Sequence, residues 1–264
     1  MPSGVLGIFN KLLTSLTTSS GKLSAITEAP PTEDQNFRTE VINAEPKHVE
    51  GLGGAPPRRL IVIDGSSRRL GSLSFRVFIA GVAIYGLRPP IELYPGLGGA
   101  PQVRFLAVKA PSEDVLRRIE EDGELGGFVM VKSHDGKYFV GDYNEDDISD
   151  EVRMGLETWA LDKVHSELGR AGSEYAVVVD GPTYLGLGEK GGLAMRRVSA
   201  IGRLEGLGVP VIGVVKRVEN SRKLCSDEVL SEFGLLDTIN PRHCSDPLVI
   251  QSIGSGRVRG SSTQ

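Results

Sequence analysis

Apolar positions along this chain change period several times, and the changes mark out its elements. Two β-branched runs, Leu60-Ile-Val-Ile63 and Ala176-Val-Val-Val179, are continuous rather than alternating. That pattern suits strands buried on both faces. Each run drives into an Asp-Gly step, at Asp64-Gly65 and at Asp180-Gly181. The spacing predicts strands over 59–64 and 174–180, with others around 75–86, 103–109 and 209–216. Phe128 to Lys132 and Tyr138 to Asp142 flank Asp135-Gly136, a two-residue turn signal, and so read as a hairpin. Helical spacing covers 112–121, 149–168, 190–206 and 226–236. In the second of these helices Ser149 suits the cap, and Asp150 and Glu151 suit the positive end. Met154, Leu161, Val164 and Leu168 then form its buried face.

An antiparallel opening followed by βαβ units predicts an α/β fold, a mixed β-sheet flanked by helices. That order is RNase H-like. Residues 1–57 are rich in Ser, Thr, Pro and Glu, with one weakly amphipathic segment from Val5 to Leu16, and read as a helix and a flexible linker. Residues 58–240 form the expected folded body, and 241–264 read as a flexible tail. Gly51-Leu-Gly-Gly-Ala-Pro recurs from Gly96, each time as a loop before a strand. One six-residue echo does not make a repeat protein.

Composition narrows the function classes. With 264 residues, 39% of them hydrophobic, the chain can bury a substantial core. Its net charge of -4 supplies no overall basic field, so any grip on nucleic acid must be local. Cys225 and Cys244 are too few for a disulfide scaffold or a zinc site, and a reducing cytoplasm is the expected compartment. The longest apolar stretch, Val77 to Leu87, is too short to span a bilayer, and Met1 to Leu16 lacks the marks of a signal peptide.

The candidate chemistry is carried by carboxylates. If their strands are neighbours, Asp64 and Asp180 form a hard-oxygen pair suited to Mn²⁺ or Mg²⁺, the ions that assist phosphodiester cleavage. A third carboxylate is expected from the helix between them. Glu157 lies on its apolar face, as a ligand or a salt-bridge partner, and Asp162 competes from the border of that face. Periodicity does not separate the two. Lys216, after the last strand, is placed to steady a phosphate. Arg68, Arg69 and Arg76, with Arg196, Arg197 and Arg203, are candidates for a local basic wall. Gly186-Leu-Gly-Glu-Lys-Gly191 matches a dinucleotide fingerprint in letters, but it does not follow its strand directly, so a loop over the site is the better reading. The four histidines are scattered and read as surface or packing residues.

These residues resemble the NurA family, nucleases of DNA end processing in archaea and bacteria. The likeness rests on Ile63-Asp64-Gly65-Ser66, on Arg153 with Ala160-Leu161-Asp162, on Val179-Asp180-Gly181, and on Val211-Ile-Gly-Val-Val-Lys216 with Ser221. It covers about 58–240. It implies a Mn²⁺-dependent, RNase H-like nuclease that cuts single-stranded DNA, resects duplex ends from 5′ to 3′, and docks as a ring-like homodimer on a HerA-type hexameric translocase. Asp64 and Asp180 match the family's strand carboxylates and Lys216 its lysine, whereas the helix acid maps to Asp162 by spacing and to Glu157 by burial. Family members usually continue further, with late Tyr and His residues near the site, so this chain reads as a short form. The rival expectations are a non-catalytic interaction module of the same fold and a nucleotide-binding protein that uses the glycine loop.

Overall fold

The computed structural model describes residues 4–19, 57–71, 74–87, 91–96, 103–169, 174–183, 191–215, 224–240 and 244–260. The chain divides into two compact units, 1–32 with 55–214 and 33–54 with 215–264.

The first unit holds helices α1 (Val5–Ser19), α2 (Glu113–Glu121), α3 (Glu145–Leu168) and α4 (Gly191–Glu205) around a seven-stranded sheet. Its strands are β1 (Arg59–Gly71), β2 (Arg76–Tyr85), β3 (Glu92–Tyr94), β4 (Leu106–Lys109), β5 (Val129–Met130), β6 (Tyr175–Asp180) and β7 (Val211–Val214). They lie in the order β5-β4-β2-β1-β6-β7, with β3 paired to β2. Pairing with β2 is antiparallel for β1, β3 and β4, whereas β1–β6, β6–β7 and β4–β5 are parallel. The sheet is therefore mixed, as the strand patterns require, and the fold is α/β of RNase H-like type.

Connection handedness decides which faces the helices cover. β4 and β6 run the same way, but β4 steps outward to β5 and β6 steps outward to β7 in opposite directions across the sheet. Two right-handed crossovers of that kind put α2 and α4 on opposite faces. α3 packs on β1, β2 and α4, on the face that α4 shares. On the α2 face, Val77, Leu106 and Val108 are buried together at the β4 end of the sheet. Level with residues 60–64 of β1 that face opens, from β3 across to β7. Leu60, Tyr85, Leu93 and Ile212 are 54%, 57%, 60% and 48% exposed.

Several elements differ from their sequence expectation. β1 does not stop at Asp64 but runs on to Gly71, because the apolar β2 pairs with it over ten residues, from Val62↔Tyr85 to Gly71↔Arg76. Gly65 makes no turn there. The cap of α3 is Asn144, whose side chain accepts from the Asp146 and Asp147 amides, and Ser149 lies a turn inside the helix. The 128–142 stretch is a bridged turn more than a hairpin. β5 has two residues, a single Lys132↔Tyr138 bridge closes over Gly136 at φ +89°, and Val140 pairs with Ala110. The 5–16 segment is α1, whose Ile8, Leu12 and Leu16 are buried in the main core.

The second unit contains α5 (Asp227–Glu232) and α6 (Asp246–Gly260). The expected C-terminal tail is thus helical through residue 260. Cys225 and Cys244 are joined in a disulfide with 5.7 Å between their Cα atoms, contrary to the expectation of reduced thiols. They pack with Leu230, Ile239 and Val249 in a small core of their own. No helix among the described residues is long and apolar enough to cross a membrane.

Candidate active site

β1 carries the first candidate carboxylate, and its neighbours fix where that side chain points. A Cβ on Gly65 would meet Glu157 of α3, 2.7 Å from Cγ. The Ser67 and Ser149 hydroxyls are 2.8 Å apart, and Arg69 donates to Glu145 at 2.7 Å. Residues 65, 67 and 69 therefore all face α3. Alternation along the strand turns Asp64 the other way, onto the open face, where it is exposed.

β6 brings the second carboxylate to the same place. Its parallel register with β1 runs from Arg59↔Tyr175 to Ile63↔Val179. One further step sets Asp64 beside Asp180, on strands about 4.8 Å apart. Val62 and Val178 are a matched pair, so the residues two positions on, Asp64 and Asp180, share their face. Asp180 is half-buried. β7 adds Ile212 and Val214 opposite Val178 and Asp180, an apolar flank to the pair.

Glu157 is on the covered side. Its Oε1 accepts from Arg153 at 2.9 Å and its Oε2 from Arg197 at 3.1 Å. Both Glu157 and Arg197 are buried. Burial raises the Glu157 pKa above its ordinary value, against the opposing pull of the two guanidiniums. Arg153 is likewise raised, because Glu157 and Asp150 outweigh its own desolvation. The two shifts pull opposite ways. Two contacting guanidiniums favour the ionised carboxylate, so the ion pair is the state that the geometry supports.

Asp162 lies farther along α3 in an ion pair with Arg203 of α4, both about half exposed. It borders a surface cleft of about 330 Å³ that is lined also by Met195, Arg196 and Ser199. Glu157 packs against Gly65 on the face of β1 opposite Asp64, and Asp162 is paired with Arg203. Among the described residues no three His, Cys, Asp or Glu side chains form a metal-binding group. Lys216 and the loop 184–190 lie outside the described residues.

The basic wall also takes a different form. Arg197 is a core residue rather than a surface cation, and Arg69 and Arg76 both reach Glu145 at the start of α3. Sequence reading missed a second buried network. Glu151 accepts from the His134 amide and ring Nδ1, each at 2.9 Å, and from the Tyr143 hydroxyl at 2.9 Å. The only signal for it was an acid on the apolar stripe of α3, at Glu151, before Glu157 on the same helix.

The mixed sheet, with an antiparallel β1-β2-β4 part, parallel β6 and β7 beyond β1, and helices on its faces, is of the RNase H-like class. Within it, the NurA domain family matches residues 58–260. The chain belongs to the NurA family, and with it to the nucleases, which are hydrolases. The match starts where β1 is about to begin and runs through α6, so α1 precedes it. Comparison with curated proteins finds no match.

Proposed function

We propose that the chain is a metal-dependent deoxyribonuclease whose metal ligands are Asp64 and Asp180. The observation that carries this reading is their placement at one register step on adjacent parallel strands, on the face that the helices leave open. Two carboxylates are a donor set that fits Mn²⁺ or Mg²⁺, ions that take one or two protein carboxylates and fill the remaining positions with water and phosphate oxygens. A divalent cation there supplies Lewis-acid polarisation of the scissile phosphate and activation of water. Asp64 and Asp180 hold the site's negative charge at fixed points, beside the apolar side chains of Val62, Val178 and Ile212 on the same face. Lys216, two residues beyond β7, steadies the phosphate as a point charge. Glu157 and Asp162 have no part in this reading as ligands, since each is committed to arginine.

The substrate is DNA, cut in single strands and resected from 5′ to 3′ at duplex ends. The enzyme works as a homodimer with a HerA-type hexameric translocase, in the cytoplasm. Support for these finer statements is the family membership and the open apolar face beside the carboxylates, which suits a partner surface. The Cys225–Cys244 disulfide is compatible with that compartment in organisms whose intracellular proteins keep such bonds, as hyperthermophiles do.

Replacing Asp64 by Ala is expected to lower Mn²⁺-dependent cleavage at least about 10³-fold, a loss of roughly 4 kcal/mol of transition-state stabilisation. Its exposed side chain contributes little to packing, so the melting temperature should stay near that of the wild type. Cleavage that persists in a folded Asp64→Ala protein would refute the assignment.

A further inference from the structure

We propose that Glu157 is a positioning residue, a carboxylate locked by two arginines that braces the backbone of β1 at Gly65 and so sets where Asp64 is presented. The inference rests on the nuclease reading of Asp64, and it gives the buried cluster beneath that residue a part in the site.

Three observations converge on Gly65. Its missing side chain is filled by Glu157, because a Cβ built there meets Oε1 and lies 2.7 Å from Cγ and 3.0 Å from Cδ. The residue is not glycine for its backbone angles, since it is absent from the glycines with positive φ. With the α3 side chain this close, a Cβ at position 65 forces either Glu157 or β1 to shift. The carboxylate itself has little freedom to retreat, being gripped at one oxygen by Arg153 and at the other by Arg197. Arg197 is wholly buried, and its Nε has no hydrogen-bond partner, so its guanidinium is fixed chiefly through Glu157.

The brace couples the two halves of the site. Arg153 and Glu157 belong to α3, Gly65 to β1, and Arg197 to α4, the helix that follows the Asp180 strand. One ion-paired cluster therefore ties the element after Asp180 to the backbone after Asp64. Because Asp64 points away from α3, Glu157 acts on it through the peptide chain and by its volume, with no shared ligand. Sub-ångström shifts of a strand matter at a metal site, where misplacement by about 1 Å costs on the order of 10²-fold in rate.

The test is Mn²⁺ titration by calorimetry, with single-stranded DNA cleavage alongside, on the full chain carrying Gly65→Ala, Glu157→Asp, or both. Gly65→Ala is expected to weaken Mn²⁺ binding by about 10-fold or more, because the new methyl displaces β1 against the brace. Glu157→Asp in the same chain removes one methylene from the crowded side and should restore affinity to within about 3-fold of Glu157→Asp alone, a non-additive pair. Glu157→Gln keeps the volume but loses the charge that holds the two guanidiniums; it should weaken Mn²⁺ binding far less than Asp64→Ala does, and it serves if Gly65→Ala does not fold. Additive losses in the double variant would overturn the proposal, and a loss in Glu157→Gln as large as in Asp64→Ala would overturn it by making Glu157 a ligand. A folded wild type that neither binds Mn²⁺ nor cleaves DNA would instead sink the nuclease reading on which the brace rests.

Discussion

Glu151 is fully buried and accepts three hydrogen bonds, two from His134 and one from Tyr143. Burial pushes its carboxyl pKa upward, but those bonds more than offset it and leave the group below its ordinary 4.5. A folded-state pKa depressed in this way contributes stability that is complete above 4.5 and is lost as pH falls through the folded value. Melting followed from pH 6 downward should therefore show an acid-dependent loss that is shallower in Glu151→Gln, at about the same pH range. An unchanged slope would remove Glu151 as the cause. Burial, with the neighbouring Glu151 carboxylate, raises the Tyr143 pKa above its ordinary value. Glu157 and Glu151 sit on the same helix with opposite outcomes, one raised by burial and one lowered by its donors.

At the level of elements, α1 shows how much a weak amphipathic pattern can hide. Its apolar positions Ile8, Leu12 and Leu16 repeat every four residues and are buried in the main core, and Lys11 is held by Asp122 and Glu124 beyond the end of α2. Leu12→Ala should destabilise the protein by about 3 kcal/mol, measured by denaturant unfolding. A change below about 1 kcal/mol would mean that α1 is not part of the cooperative core. The sequence made α2, α3, α4 and the central strands legible through their apolar periods, Met154 to Leu168 along α3 and Leu60 to Ile63 in β1, but it did not reveal α6, in a segment read as a tail. It made the extension of β1 past Asp64 illegible, since Asp-Gly is a turn signal and only pairing with β2 overrides it. The two strand acids were readable, and so was the burial of Glu157. What periodicity could not supply was the face, because Asp64 and Glu157 sit on opposite sides of the sheet and only the Gly65 contact reveals it. Arg197 was misread for a related reason: a lone cation on a helix looks solvated until its buried acid is in place.

For the whole molecule, the second unit depends on a staple that the first does not share. The Cys225–Cys244 bond closes a segment of 19 residues around a core of only a few side chains. Closing a loop of that size stabilises by about 3 kcal/mol through the unfolded state. Reduction with a phosphine should therefore unfold the second unit first, seen as loss of amide protection over 224–260, while the sheet keeps its protection. Equal loss in both units would contradict two separate cores. The open sheet face bearing Leu60, Tyr85, Leu93 and Ile212 lies beside the paired carboxylates, which is where an enzyme that works against a partner or a polymer would keep apolar surface. Both features leave the central claim resting on Asp64 and Asp180. The most direct measurement is cleavage of end-labelled single-stranded DNA by the folded protein with Mn²⁺ and with EDTA, beside Asp64→Ala and Asp180→Ala. The account predicts Mn²⁺-dependent products that vanish with EDTA and in both variants. Cleavage that survives either substitution in a folded protein would contradict it.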